Sequence, residues 1–340
     1  MLAGRGATSA QARDALLRLA GRIGAPMATT LRAKDLFRGH PHNLGICGTL
    51  SHPAALDVIG SSDCILAFGA SLNMWTTAEG SILTKKHVVQ VDVDLEAINR
   101  FSIADLAVVG DASVVADTIV EWLDAAGSTA TGFASDDMAE QLRRSVDTDV
   151  VDHSTDTTVD LRTVLSRLER AFPAERTLVF DGGRWIFDSF TMLTVQHPSA
   201  YVHTVNYGSI GLGMGNAIGA WFGAPDRPVL MVTGDGGFMM GGIAEFNTAV
   251  RHGVDLVVVV MNDGAYGAEH VQFRDRGMDP SISTFAWPDF GPVATALGGE
   301  GYTVRNPSDL DEVLGALPDR TRPVLVDVKI DPDKVVTGGH

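Results

Sequence analysis

The sequence predicts an α/β protein of two Rossmann-like domains, each a parallel sheet flanked by helices. Three observations carry that expectation. Val229–Val232 and Leu256–Met261 are short, β-branched apolar runs around a helix-like stretch, the pattern of strands buried on both faces. Cys64–Phe68 and His87–Val93 repeat the pattern earlier in the chain, with helix-like segments alternating between them. Between the two sets, residues 127–158 are rich in Gly, Ser, Thr and Asp, which is a linker composition. The expected division is a central-type domain at 1–126, a linker at 127–158 and a second domain at 159–340.

In chain order, Met1–Ala7 reads as the end of a first strand entering a glycine-rich turn, with only about three residues of strand where ~5–6 are usual. An amphipathic helix follows, with Ala12, Ala15, Leu16, Leu19 and Ala20 on one face. Pro26–Leu31 reads as a strand and Gly45–Gly48 as a glycine-marked loop. The linker holds a helix at Met138–Arg144 and ends in the acidic run Asp147–Asp160. Asp160 then opens a helix over 161–171, followed by a strand at Thr177–Phe180. After the motif region come a helix over 308–316, a strand at Val324–Ile330 and a solvated tail, Thr337–His340.

At 340 residues the chain is long enough for two cores. A net charge of −16 argues against a nucleic-acid partner, whose phosphates need a basic footprint. No apolar run approaches the ~18 residues of a membrane span, and no signal peptide is evident, so a cytoplasmic location is expected. Cys47 and Cys64 lack metal-binding spacing and read as buried hydrophobes in a reducing compartment.

The chemistry gathers at Gly234-Asp235-Gly236-Gly237 and Asn262-Asp263-Gly264. Asp235 and Asn262 each follow an apolar run, and ligands of open α/β sheets collect beyond the carboxyl ends of strands. A carboxylate, an amide oxygen and a backbone carbonyl suit a hard divalent cation. Gly236 and Gly237 bring bare backbone close to an anionic group. Taken alone, Gly-Asp-Gly after a strand is equally a tight turn.

The Gly-Asp-Gly, the 25 residues 237–261 and then Asn262 resemble the thiamine-diphosphate signature of the acetolactate synthase and pyruvate decarboxylase superfamily. By that resemblance Asp235 and Asn262 bind Mg²⁺ through side chains and Gly264 through its carbonyl. Gly234, Gly236 and Gly237 border the diphosphate, to which Ala265 and Tyr266 add backbone N–H groups; Tyr266 reads equally as a packing aromatic. Upstream, Asn206–Gly215 is similar to the family's thiazolium segment, with the Gly208 carbonyl meeting the aminopyrimidine and Ile210 bending the cofactor. The stretches "ATTLRAKDLF", "LGICG", "FGASLN" and "VVQVDVD" resemble the same superfamily's central domain.

The resemblance implies a lyase or transferase that decarboxylates or ligates a 2-oxoacid, working as a homo- or hetero-oligomer. The family's activating glutamate lies in an N-terminal pyrimidine-binding domain for which no segment matches here, so no catalytic residue is assigned. Either a second subunit supplies that domain, or the chain is a truncation or has a mis-set start, or it binds without turnover. The short first strand favours truncation or a mis-set start. FAD is not expected, because Gly69–Trp75 lacks the arginine and acidic pair that hold flavin in acetolactate synthases. Glu269 and His270 read either as substrate-facing groups or as solvated side chains, and His197, His203 and His252 carry no role. A reading from a different class is a non-catalytic nucleotide- or thiamine-diphosphate-binding assembly protein.

Overall fold

A computed structural model describes residues 1–146, 150–204 and 206–334. Residues 147–149 of the acidic run and the tail Thr337–His340 lie outside the described residues. The chain forms two compact units, the first within Met1–Asp149 with Gln196–Ser199, the second within Val150–Val195 and Ala200–Gly338. Each holds one six-stranded, all-parallel sheet, and twelve α-helices accompany the two sheets among the described residues.

The first unit contains β1 (Leu2–Ala3), β2 (Met27–Thr29), β3 (Asn43–Ile46), β4 (Cys64–Phe68), β5 (His87–Asp92) and β6 (Leu106–Val109), in the order β3-β2-β1-β4-β5-β6. That order is a doubly wound sheet. β1 has two residues yet lies centrally, paired on one side with β2 and on the other with β4, so it leaves no free edge. The turn after it needs glycine. A Cβ on Gly4 would lie 2.1 Å from the Gly69 carbonyl oxygen, inside any real contact distance.

The helix Ala10–Ile23 buries the face read from the sequence, Ala12, Ala15, Leu16, Leu19 and Ala20. Ser9 caps its start by accepting from the Ala12 N–H, and Gly24 at φ 67° ends it. Gly45–Gly48 was expected as loop, but its first residues belong to β3. Gly45 takes φ 71° inside that strand, which is why the pattern reads as a turn. Of the two cysteines, Cys47 is buried as expected whereas Cys64 is exposed at the start of β4. The stretch read as linker carries the helix Asp136–Val146, and its Leu142 packs with Met138 and Phe133 into the first core.

The second unit contains β7 (Thr177–Phe180), β8 (Tyr201–His203), β9 (Val229–Gly234), β10 (Leu256–Asn262), β11 (Glu300–Val304) and β12 (Val324–Lys329), ordered β11-β12-β10-β9-β7-β8. β10 is buried along its whole length, and β9 along all but its last residue. Both faces are covered, as continuous β-branched runs require. The strand order reverses between β7 and β9. Crevices at such a reversal are where this architecture seats ligands.

Candidate functional site at the β7–β9–β10 rim

Three acidic or amide side chains stand where strands end. Asp181 follows β7, Asp235 follows β9 and Asn262 closes β10. β9 and β10 are hydrogen-bonded neighbours with Met261 opposite Gly234, so Asp235 and Asn262 share one rim of the sheet.

Asp181 is 1% exposed and acts as a hub. Its Oδ1 accepts the Gly182 N–H at 2.9 Å and the Thr204 hydroxyl at 2.9 Å. Its Oδ2 accepts the Gly211 N–H at 2.8 Å, with the Thr233 hydroxyl at 3.4 Å. The glycine loop 208–211 is thereby tied to the strand reversal. In that loop Gly208 and Gly211 take φ 69° and 83°. Ile210 lies over Gly182, where a Cβ would come within 2.8 Å of Ile210 Cγ2. The sequence reading missed Asp181. The signal was present, since Asp181-Gly182-Gly183 repeats Asp235-Gly236-Gly237 after a second apolar run.

Asp235 is 2% exposed, and its Oδ2 accepts the Ala265 N–H at 3.2 Å. The same N–H is shared with Asp263 Oδ1 at 3.1 Å. Burial, reinforced by the neighbouring Asp263, pushes the Asp235 carboxyl up to about 7. Burial also raises Asp263, while Arg184 pulls the other way through its Nε at 2.6 Å from Asp263 Oδ2.

The expected metal ligands also take part in local hydrogen bonds. The Asn262 amide nitrogen donates to Asp327 Oδ1 at 2.7 Å, and its Oδ1 accepts the Gly264 N–H at 3.1 Å. The Gly264 carbonyl, in a residue at φ 67°, accepts the Phe285 N–H at 2.7 Å. The backbone N–H groups expected for a diphosphate are also occupied. Ala265 donates to the two carboxylates and Tyr266 to the Ser283 carbonyl at 2.8 Å. Tyr266 is a packing aromatic: a Cβ on Gly236 would meet its ring at 2.5 Å, and it packs edge-on against Phe285. Glu269 is exposed, while His270 is buried with Nε2 2.9 Å from Asp333 Oδ1.

Several buried polar atoms here lack partners. The indole N–H of Trp185 and the Nδ1 of His270 have none, while the Trp287 indole lies on the Asp235 carboxylate and offsets part of its upward shift. Trp185 Nε1 points at the rim, 2.2 Å from where a Gly183 Cβ would sit and 3.3 Å from that of Gly234. Buried N–H groups without acceptors are costly unless an acceptor arrives, and a phosphate is rich in acceptors.

Comparison with known proteins decides the family. Residues 1–119 match the model of the thiamine pyrophosphate enzyme central domain. Residues 182–328 match that of the thiamine pyrophosphate enzyme C-terminal TPP binding domain. The chain belongs to the thiamine pyrophosphate enzymes. Similar relatives include a sulfoacetaldehyde acetyltransferase of Alcaligenes xylosoxydans, 28% identical over 92% of this chain and 57% of its own. A 2-hydroxyacyl-CoA lyase of Arabidopsis thaliana is 27% identical over 97% of this chain and 59% of its own. An acetolactate synthase large subunit of Buchnera aphidicola is 23% identical over 98% and 59%. The chain thus spans under three-fifths of these thiamine pyrophosphate enzymes. No helix among the described residues is long and apolar enough to cross a membrane.

The rim fits the cofactor's anionic end: glycines let backbone approach, a buried carboxylate beside them could hold a cation, and the Trp185 indole N–H lacks an acceptor. Among the described residues, no group of three or more His, Cys, Asp or Glu is placed to hold a metal by itself. A cation at Asp235 therefore also needs amide, backbone or phosphate oxygens.

One pH dependence follows. A carboxyl raised to about 7 in the fold favours the proton-bound form there. Its stability contribution is present below the ordinary aspartate range and is lost as pH rises through about 7. A cation held by Asp235 would have to displace that proton, so Mn²⁺ affinity at this carboxylate would fall by up to about tenfold per pH unit below neutrality. Mn²⁺ titrations at pH 8, 7 and 6 measure this. A flat profile would remove Asp235 from the cation's ligands.

Proposed function

We propose that the second unit binds thiamine diphosphate together with Mg²⁺ and is the cofactor-binding portion of a 2-oxoacid decarboxylase or carboligase. The observation that carries this is Asp235: a buried carboxylate without a countercharge, at the strand end of a domain belonging to the thiamine pyrophosphate enzymes. Asp235 would face the cation, the Gly234–Gly237 turn would approach the diphosphate, and Ile210 above Gly182 would support the ring system. When bound, the thiazolium supplies an electron sink for loss of CO₂ or for C–C bond formation. The residues of this chain bind and orient; Asp181 holds the glycine loop in register with the strand ends.

Turnover would take a pyrimidine-binding domain, from a second chain or from further sequence, together with a small 2-oxoacid substrate. Tyr207, Leu212 and Met240 are exposed around the glycine loop, an apolar surface such a domain would cover in an oligomer. The test is calorimetric. The chain should bind thiamine diphosphate when Mg²⁺ is present and not in EDTA, and Asp235→Ala should lose that binding. Metal-independent binding of NAD or FAD in place of thiamine diphosphate would favour the non-catalytic nucleotide-binding reading.

A further inference from the structure

We propose that Asp327 is a positioning residue for the cation: it fixes the Asn262 side chain so that the amide oxygen, not the amide nitrogen, is presented beside Asp235. This rests on the thiamine diphosphate reading and deepens it.

An amide can serve a cation with one end only. Its oxygen accepts and its NH₂ donates, and the two ends have nearly the same shape. Asn262 is buried, so the choice falls to its protein neighbours. Asp327 lies on β12 opposite Val260, two residues before Asn262 and therefore on the same face of the sheet. Its Oδ2 takes the Phe290 N–H at 2.9 Å and Lys329 Nζ at 2.8 Å. Its Oδ1 accepts from the Asn262 amide nitrogen at 2.7 Å. A carboxylate paired with a lysine only accepts, so the NH₂ end of Asn262 must turn to β12.

The amide oxygen is left on the other side. β12 and β9 flank β10, and Met261 stands opposite Gly234, so the side away from β12 is the side of Asp235. There Asn262 Oδ1 accepts the Gly264 N–H at 3.1 Å, and Asp235 Oδ2 accepts the next one, of Ala265, at 3.2 Å. Two oxygens from neighbouring strands thus stand on consecutive peptide groups, each with a further lone pair for a hard cation. Lys329 also reaches Asp289 at 3.1 Å, which anchors the brace behind Asp327.

Asp327→Asn keeps the shape and reverses the instruction. The Phe290 N–H and Lys329 claim the oxygen of the introduced amide, whose NH₂ then confronts the NH₂ of Asn262. Turning Asn262 over relieves that contact, loses the Gly264 bond and aims N–H donors at the cation. Adding Asn262→Asp removes the conflict, because a carboxylate accepts at both ends. The double variant exchanges the two side chains and leaves the net charge unchanged.

The experiment is a Mn²⁺ titration of the full chain with thiamine diphosphate present, following free Mn²⁺ by electron paramagnetic resonance, beside urea denaturation of each variant. The wild-type chain should bind one Mn²⁺; no binding would sink the cofactor reading and this inference with it. Asp327→Asn should weaken Mn²⁺ by at least about tenfold. Asp327→Ala, in which the Gly264 N–H still orients the amide, should unfold at lower urea yet lose less Mn²⁺ affinity, about threefold. A purely structural Asp327 would instead make affinity follow stability. The exchange of Asp327→Asn with Asn262→Asp should return Mn²⁺ affinity to within about threefold of wild type. If Asp327→Asn does not fold, the exchanged chain decides alone. Wild-type affinity in Asp327→Asn, a larger loss in Asp327→Ala, or no recovery in the exchanged chain overturns the assignment while leaving the cofactor reading in place.

Discussion

Asp181→Ala is expected to abolish thiamine diphosphate binding and to destabilise the second unit by roughly 3 kcal/mol, at about 1 kcal/mol for each of its three shorter hydrogen bonds. The carboxylate is 1% exposed and accepts from Gly182, Thr204 and Gly211, with Thr233 more distant. Alanine strands those donors, and water has no easy route to them. The functional loss has a separate cause. Without the Gly211 anchor, the loop carrying Gly208 and Ile210 is no longer held to the strand reversal. Urea denaturation and calorimetry with Mg²⁺ and thiamine diphosphate read the two effects independently. An Asp181→Ala chain that melts early yet binds the cofactor normally would show that the loop does not need this anchor.

Asp327→Ala is expected to cost a similar amount, roughly 3 kcal/mol, but to act on stability first. Asp327 is fully buried and accepts from the Asn262 amide and the Phe290 N–H. Both donors would be left unsatisfied. Lys329 would keep a second partner, Asp289, at 3.1 Å. The expected result is a lower urea midpoint for the transition of the second unit, with little change in its slope. A midpoint within experimental error of the wild-type chain would show that water replaces the lost acceptor.

The sheet-forming segments were legible where burial was strongest. Thr177–Phe180 and the helix Leu161–Ala171 have the bounds the sequence suggested, because an apolar run and an Asp160 cap mark their ends. β6, β8 and β11 were not read from the sequence. Leu106–Val109 is largely exposed, Tyr201–His203 is only three residues, and Glu300–Val304 begins with a charge and a glycine. β8 and β11 lack the apolar run that marks a strand buried on both faces, whereas Leu-Ala-Val-Val of β6 is such a run and was passed over.

At the site, Asp235 could be read from the glycines around it. The contacts that decide its surroundings could not. Asp181 meets Gly211 across 30 residues and Arg184 meets Asp263 across 79, distances at which local spacing says nothing. Asn262 shows the limit of motif reading most clearly. Its place at the end of β10 is visible in the sequence, but the carboxylate that orients its amide, Asp327, lies 65 residues further on.

Arg184 does a second job that ties the rim to the chain beyond β12. Its guanidinium holds Asp263 with one nitrogen and clamps two carbonyls of the exit segment with the others. His270 and Arg274 add their own grip on Asp333. One side chain is therefore a rivet through both parts: loosening the strap after the last strand would also free the arginine that neutralises the rim.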